Sequence, residues 1–393
     1  MPKEKRIETH RSGFFRFMVG VDMASIEADL LRIEDAHHRF SSIPIIPDVA
    51  ARLEKEVVAA SVFGTNTIEG GTLSEEETAR VIERLPESRD ETEQRVINIK
   101  HAYEKAETFS QQCINSLKRD NSPAQGIAVS LQEAMFTDLH ELITQQLSHP
   151  FNVPGQYRDN LKGQLTKVGD AEHGGVYTPP KCKDDIILLM RSFIEWINSD
   201  EIRRLPPLIR APLAHYYFER IHPFWDGNGR VGRVVEMLIL KCAGYKYAHF
   251  ALSRFYLDNI DEYFTVFNRA RKSEESGETN PNTAFIRFFL KGMLTVINQL
   301  HDRANRIIAL VLYENMLNNL LNDRKINQRQ YIIVTTIMET GLSLPLKTLQ
   351  AKPWYQALYQ KLSSKTCSRD LNGLVDHQIL ELTKDKELRL LVP

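Results

Sequence analysis

Along most of the chain apolar residues recur at spacings of three and four, and the strict alternation of a half-buried strand is rare. This periodicity predicts helices over 26–39 and 49–63, followed by a break at Thr65-Asn66-Thr67-Ile68-Glu69-Gly70-Gly71. Thr72-Leu73-Ser74-Glu75 reads as a T-x-x-E capping box that opens another helix, and amphipathic helices follow over 90–110 and 126–147. The early chain is expected to be all-α. Residues 155–180 interrupt the pattern with glycines, a Thr/Val-containing stretch and a closing Pro-Pro, and predict a short hairpin between two helices. Helix returns over 183–199 and 208–220, then from 230 to Gly244, which suits a C′ glycine.

A linker-like stretch at 273–282 precedes a long apolar-rich helix over 283–321. Past Asn322 the texture changes to short helical segments. A polar-started helix at 368–377 then leads to apolar runs at 379–382 and 388–392, separated by the charged turn Thr383-Lys384-Asp385-Lys386-Glu387. Helix followed by hairpin resembles the end of a winged-helix domain.

Length and composition narrow the class. A chain of 393 residues, 42% apolar and 26% charged, fits a globular protein of several domains. Fifty basic against fifty-one acidic residues leave no global field for nucleic acid or an anionic membrane, so any such contact must be local. Cys113, Cys182, Cys242 and Cys367 are far apart and form no C-x-x-C pair, which argues against a zinc knuckle or a disulfide framework. With no apolar run near the roughly 20 residues of a membrane span, and no leader-like segment, a cytoplasmic location is expected.

The chemistry concentrates in twelve residues, His222-Pro223-Phe224-Trp225-Asp226-Gly227-Asn228-Gly229-Arg230-Val231-Gly232-Arg233. Gly227-Asn228-Gly229 can take up positive φ and turn backbone N–H groups inward, and a helix starting just after them adds its N-terminal dipole. Arg230 and Arg233 share a face of that helix's first turn, where forked donors can neutralise phosphate oxygens. A polyphosphate is the expected guest. Asp226 is placed to hold a hydrated Mg²⁺, an ion that prefers one or two carboxylates plus substrate oxygens. His222 can take the proton of an attacking hydroxyl as a neutral base near pH 7. There is no G-x-x-x-x-G-K-[ST], so this is not a P-loop.

The segment matches at every defined position the Fic signature H-x-F-x-[DE]-[GA]-N-G-R-x-x-R, and the chain resembles the Fic (Fic/DOC) family over roughly residues 100–295. The resemblance implies a mainly α fold: a Fic-type helical bundle with a short β-hairpin flap, plus a small C-terminal winged-helix α+β domain. Expected divisions are an N-terminal helical region (1–95), a catalytic core (96–295), a linking helix (296–322) and the winged-helix-like domain (323–393). It further implies a protein adenylyltransferase that moves AMP from Mg·ATP to a Ser, Thr or Tyr hydroxyl. His222 is then the base, Asp226 the metal ligand, Gly227 to Arg233 the nucleotide cradle and Phe224 a buried anchor. Leu165, Thr166, Lys167 and Val168 of the flap would register a target segment by main-chain pairing. Asp170 to Gly175 form a longer tip than many relatives have. Tyr263-Phe264 sits where the family places an aromatic pair beside the adenine, and Tyr263 is the favoured partner for the base.

Thr65-Asn66-Thr67-Ile68-Glu69-Gly70 matches the family's inhibitory motif [ST]-x-x-x-E-[GN], which implies that Glu69 pairs with Arg233 through a bidentate contact and occupies the space of the γ-phosphate. Self-modification and a homodimer also fit the resemblance. Other transfer chemistry, or removal of AMP with Glu69 positioning water, fits the same residues. A second functional class is a regulator that binds DNA through the winged helix, where Ser363, Ser364, Lys365, Thr366, Ser368 and Arg369 could meet phosphates. Asp370 and Asp376 on that helix count against a strong DNA binder, and leave protein contact at least as well supported.

Overall fold

The computed structural model describes residues 4–87, 89–119, 129–160, 164–341 and 343–391. Two compact units emerge, one of Met1–Ile43 with Glu54–His301 and one of Pro44–Leu53 with Asp302–Pro393.

The first unit opens with a hairpin. Strand β1 (Lys5–Glu8) pairs antiparallel with β2 (Phe14–Phe17) in the register Lys5 to Phe17 and Glu8 to Phe14. The expectation of an all-α early chain is corrected here, because two four-residue strands are too short to register as alternation. The turn closes with the Thr9 N–H and hydroxyl donating to the Gly13 carbonyl, at a positive φ of 80° for Gly13. The buried Asp185 carboxylate accepts from the N–H groups of His10 and Arg11 and from the Ser12 hydroxyl. Phe17 stacks on Trp196 and meets Tyr217 edge-on, so the hairpin docks by its aromatic face.

Helices follow: α1 (Met23–Ser41), α2 (Pro47–Ile68), α3 (Glu75–Arg84), α4 (Glu91–Arg119), α5 (Glu133–Thr144), α6 (Lys183–Ile197), α7 (Asp200–Arg203), α8 (Pro207–Ile221), α9 (Asn228–Cys242), α10 (Ala248–Asp258), α11 (Ile260–Glu275) and α12 (Thr283–Asn322), of which the start of α2 to Leu53 and the part of α12 from Asp302 belong to the second unit. The break expected over 65–71 is confined to its end: α2 continues to Ile68, and the double glycine ends the run, with Gly70 at φ 81°. The capping box lies two residues beyond its expected place, with Ser74 accepting from the Glu77 N–H and Glu77 accepting from the Ser74 N–H. That register puts Glu75, Glu76 and Glu77 in the first turn, where the helix dipole favours them. The helix expected over 126–147 begins only at Glu133; residues 126–128 lie outside the described residues.

α8 and α9 form the heart of this unit. α8 is buried on nearly every side, and α9 buries Val231, Val234, Val235 and Leu238. Each such aliphatic side chain contributes roughly 1.5–3 kcal/mol on leaving water, so the connection between the two helices is fixed by the core itself. α9 closes with the Gly244 N–H on the Lys241 carbonyl and the Tyr245 N–H on the Leu240 carbonyl, the expected glycine stop.

The second unit contains α13 (Gln328–Thr340), β3 (Ser343–Pro345), α14 (Leu346–Ala351), α15 (Pro353–Tyr359), α16 (Ser364–Asp376), β4 (Leu380–Leu382) and β5 (Glu387–Leu390). Its strands form an antiparallel sheet of order β3-β5-β4. Ile333, Ile337, Leu349, Leu374 and Leu388 meet in its core. α16 starts four residues before the expected Ser368, and Val392 of the last expected run lies outside the described residues. Among the described residues no helix is long and apolar enough to cross a membrane.

Candidate functional site

His222 caps α8 in the left-handed region at φ 49°, a conformation unfavourable for a residue with a Cβ unless its surroundings impose it. They do so here. The Arg158 guanidinium donates to the His222 carbonyl at 2.7 Å, and the Arg158 N–H donates to the Pro223 carbonyl at 2.9 Å. Phe224 is fully buried, with its ring parallel to His140 at a centroid distance of 3.7 Å. The Asn228 side chain then closes the loop on itself: its Oδ1 accepts from the Phe224 N–H and its Nδ2 donates to the Phe224 carbonyl, both at 2.9 Å. The His222 imidazole is presented at the rim, its Nδ1 buried, without a hydrogen bond and 3.5 Å from Glu219 Oε2.

Of the expected cradle residues, the backbone of Gly227 to Arg230 forms the entry to α9, where helix N–H groups lack intrahelical partners. The two glycines do different work. Gly227, at φ 80°, makes the turn, as expected. Gly229 is helical, contrary to expectation, and owes its place to crowding: a Cβ there would fall on Glu69 Oε1 and lie 3.1 Å from the Arg233 guanidinium. Asn228 and Val231 turn their side chains into the structure. Gly232 leaves room for His215, whose ring would be 2.9 Å from a Cβ.

Arg230 and Asp226 form an ion pair at 2.7 Å across the loop. Burial pushes the Asp226 carboxyl up, but the charge and hydrogen bond of Arg230 and the Gly227 N–H outweigh it and hold the group below its ordinary range. The rest of Arg230 is aimed at nothing: its Nε and Nη1 are buried and have no hydrogen-bond partner among the described residues. Two buried guanidinium donors beside a helix N-terminus suit an anion.

Glu69 approaches from the far side. Its Oε1 accepts from Arg233 Nη2 at 2.7 Å, while Arg233 Nε donates to the Thr65 hydroxyl at 2.7 Å. The pair is therefore single rather than bidentate, and the other arm of the fork is held by the first residue of the Thr65-to-Gly70 motif. Burial raises the Glu69 carboxyl, but Arg233 and Arg230 together bring it below its usual value. Arg95 of α4, which no sequence signal marked, donates to the Glu69 carbonyl at 2.8 Å and to the Asn66 side chain at 3.3 Å. Arg158 and His140 carry no sequence signal either, since their roles arise from contacts remote in sequence.

The expected flap narrows to one antiparallel bridge, Val168 to Tyr177, with N–H to carbonyl distances of 3.0 and 2.9 Å. Tyr177 anchors it by donating to the Glu219 carbonyl. Leu165 and Lys167 are exposed, while Thr166 and Val168 are half-buried, the alternation of an extended segment; residues 161–163 lie outside the described residues. Between flap and α11 lies a cavity of about 250 Å³, lined in part by Val168, Tyr177, Glu219, Phe264 and Phe267. Tyr263 reaches its wall yet is 3% exposed: its ring stacks on Tyr256, and its hydroxyl meets His215 Nε2, whose Nδ1 meets Glu236. Of the aromatic pair, Tyr263 is committed to the core and Phe264 is the half-exposed ring beside the cavity.

Comparison with known proteins follows the same lines. The Fic/DOC family model matches residues 130–240. The chain is 28% identical over 219 residues to the protein adenylyltransferase Fic of Drosophila grimshawi, a match covering 56% of this chain and 40% of that protein. It is 41% identical over 87 residues to that of Drosophila erecta, covering 22% and 17%. It thus spans about two fifths or less of the length of these curated relatives. In fold it is similar to the crystal structure of a Fic family protein from Desulfovibrio desulfuricans G20, with a TM-score of 0.53 and 22% identity over 93% of this chain and 95% of the other. A Fic domain containing signaling protein from Bacteroides thetaiotaomicron VPI-5482 gives 0.56 and 20%, over 70% and 97%. With the signature loop folded at the entry to α9 and a mainly helical fold shared with these structures, the chain is a Fic family protein.

Proposed function

We propose that this protein is an adenylyltransferase that moves AMP from ATP onto a hydroxyl side chain of a protein, and that Glu69 holds it in an inhibited state. The observation that carries the reading is the convergence of the α9 N-terminus, two unpartnered Arg230 donors and the Arg233–Glu69 pair on one loop. The first two are what a polyphosphate requires. The third is a carboxylate where a terminal phosphate would otherwise meet Arg233.

In this reading the nucleotide phosphates lie along the backbone of Gly227 to Arg230, with Arg230 supplying its free donors and the base entering the cavity beside Phe264. The target hydroxyl oxygen attacks the α-phosphorus, the bond to the bridging oxygen breaks, and pyrophosphate leaves. His222 accepts the hydroxyl proton, and N–H dipoles and guanidiniums stabilise the charge that develops on the phosphate oxygens. Asp226 fits a Mg²⁺ ligand, being an ionised carboxylate one-third exposed at the loop with Oδ2 on Arg230. When bound, the ion would neutralise phosphate charge. Asp226 belongs to the loop that Asn228 closes, so its position is fixed before the nucleotide arrives.

The test is transfer of label from ATP carrying ³²P at the α-phosphate, to the protein itself and to proteins of a lysate. Wild type, Glu69→Gly and Glu69→Gly/His222→Ala are compared. Strong labelling by Glu69→Gly alone supports both the chemistry and the brake. Absence of α-label in every variant rejects AMP transfer.

A further inference from the structure

We propose that the second unit binds double-stranded DNA, with the exposed face of α16 in the major groove and the β4–β5 turn against the phosphate backbone. The inference does not depend on the AMP-transfer reading.

Two orientations within α16 carry it. Asp370, which in sequence dilutes the basic character of this helix, is 2% exposed and faces inward. Its carboxylate accepts from Arg329 Nε at 2.7 Å, Asn327 Nδ2 at 3.1 Å and the Tyr359 hydroxyl at 3.0 Å, so its charge is spent inside the unit. The opposite face presents Ser364, Lys365, Ser368, Arg369 and Asn372 along a shallow cleft of about 470 Å³, which Asp376 closes at its C-terminal end. These side chains repeat at three- and four-residue steps, which places them in one stripe. No acidic residue occupies the first six positions of the helix; Asp376 lies at its far end.

That stripe has the chemistry of base readout. Serines are small enough to let a helix sink into a groove, while Arg and Asn offer the paired contacts that match guanine and adenine edges. The β4–β5 hairpin, which follows α16 in the sequence and joins its sheet to the same core, bears Lys384 and Lys386 in its turn. Lys361, Lys365, Arg369, Lys384 and Lys386 are all exposed, and among the described residues none lies in an ion pair. Residues 323–393 hold eleven Lys or Arg against seven Asp or Glu, a surplus within a chain whose overall charge is −1. Unpaired cations at this density favour a polyanion, which they bind with release of its counterions. A rigid helix of 13 residues with a polar stripe favours the duplex over a single strand, whose recognition relies on stacking against exposed aromatic rings.

The experiment is fluorescence anisotropy of the full chain with a labelled mixed-sequence duplex of about 25 base pairs, titrated at salt concentrations between about 50 and 200 mM. Wild type is expected to bind with an affinity that falls steeply with salt. Arg369→Ala weakens binding about tenfold at fixed salt, and Lys384→Ala/Lys386→Ala lowers the slope of log affinity against log salt by about two. Circular dichroism of each variant verifies that helix content is unchanged. No binding by wild type at the lowest salt overturns the proposal. So does equal or tighter binding of single-stranded RNA or DNA, or binding by these folded variants indistinguishable from wild type.

Discussion

Arg95 Nη2 donates to the backbone carbonyl of Glu69 at 2.8 Å while Arg233 Nη2 donates to the Glu69 side chain at 2.7 Å, so one residue is gripped at both ends by two different helices. The main-chain grip fixes where the side chain can reach. If Glu69 is the brake, Arg95 is what keeps it applied. Arg95→Ala is expected to raise α-label transfer several-fold over wild type, and Arg95→Lys, which keeps one donor, to raise it less. Added to Glu69→Gly, Arg95→Ala should bring no further gain, since the group it positions is gone. A gain in the double variant would show that Arg95 acts on the site by another route.

Gly229 faces the same carboxylate. A methyl group there collides with Glu69 Oε1, and overpacking of this kind costs about 1–3 kcal/mol. Most of that cost should vanish in the Glu69→Gly background, although the 3.1 Å approach to Arg233 remains. Thermal unfolding of the two single variants and the double variant gives the coupling directly. Strictly additive losses would mean that Gly229 is required for a reason other than this contact.

How far these groups can be read in advance depends on how local they are. His222 to Arg233 are legible because one helix terminus gathers them, and the Thr65 motif is legible because its first and fifth residues meet a single guanidinium. Arg95 and Arg158 are not, since each acts on a carbonyl oxygen that a residue-type pattern does not encode. Gly229 was visible but was given the wrong reason, because positive φ and close approach leave the same letter in the sequence. Thr72 and Ser74 both begin acceptable capping boxes. The choice of Ser74 follows from three glutamates in the first turn, a preference that a single four-residue pattern misses. The N-terminal strands escaped notice because Phe14 to Phe17 shows only two buried positions.

At the flap tip, His173 is held between two carboxylates, with Nδ1 at 2.9 Å from Asp170 and Nε2 at 3.1 Å from Asp261 on α11. Hydrogen bonds to Asp170 and Asp261 raise its pKa above the ordinary 6.5. A folded-state pKa above the unfolded one means that the clasp is fully formed below the ordinary histidine value and is lost as pH rises through the raised one. The His173 ring protons should therefore titrate, by NMR, at higher pH than those of an unpaired histidine, and Asp261→Asn should move the midpoint down. A midpoint at the ordinary value in wild type would mean that the two ion pairs do not hold the tip.

Tyr263 and Phe264 are adjacent in sequence but differ in setting, Tyr263 buried in the core and Phe264 half-exposed at the cavity. Tyr263→Phe removes the hydroxyl that meets His215 Nε2 in a buried network, and an unsatisfied buried partner costs about 1–3 kcal/mol. Its melting temperature should fall, with little change in affinity for ATP. Phe264→Ala takes away a half-exposed ring at the cavity wall, so its melting temperature should hold more nearly. Loss of an aromatic face worth about 0.5–1.5 kcal/mol should weaken ATP binding by roughly two- to tenfold. Calorimetric titration of both variants in the Glu69→Gly background separates the two effects. The opposite pattern, with affinity lost in Tyr263→Phe and kept in Phe264→Ala, would return the base to the tyrosine and require Tyr263 to leave its stack on Tyr256 when the nucleotide binds.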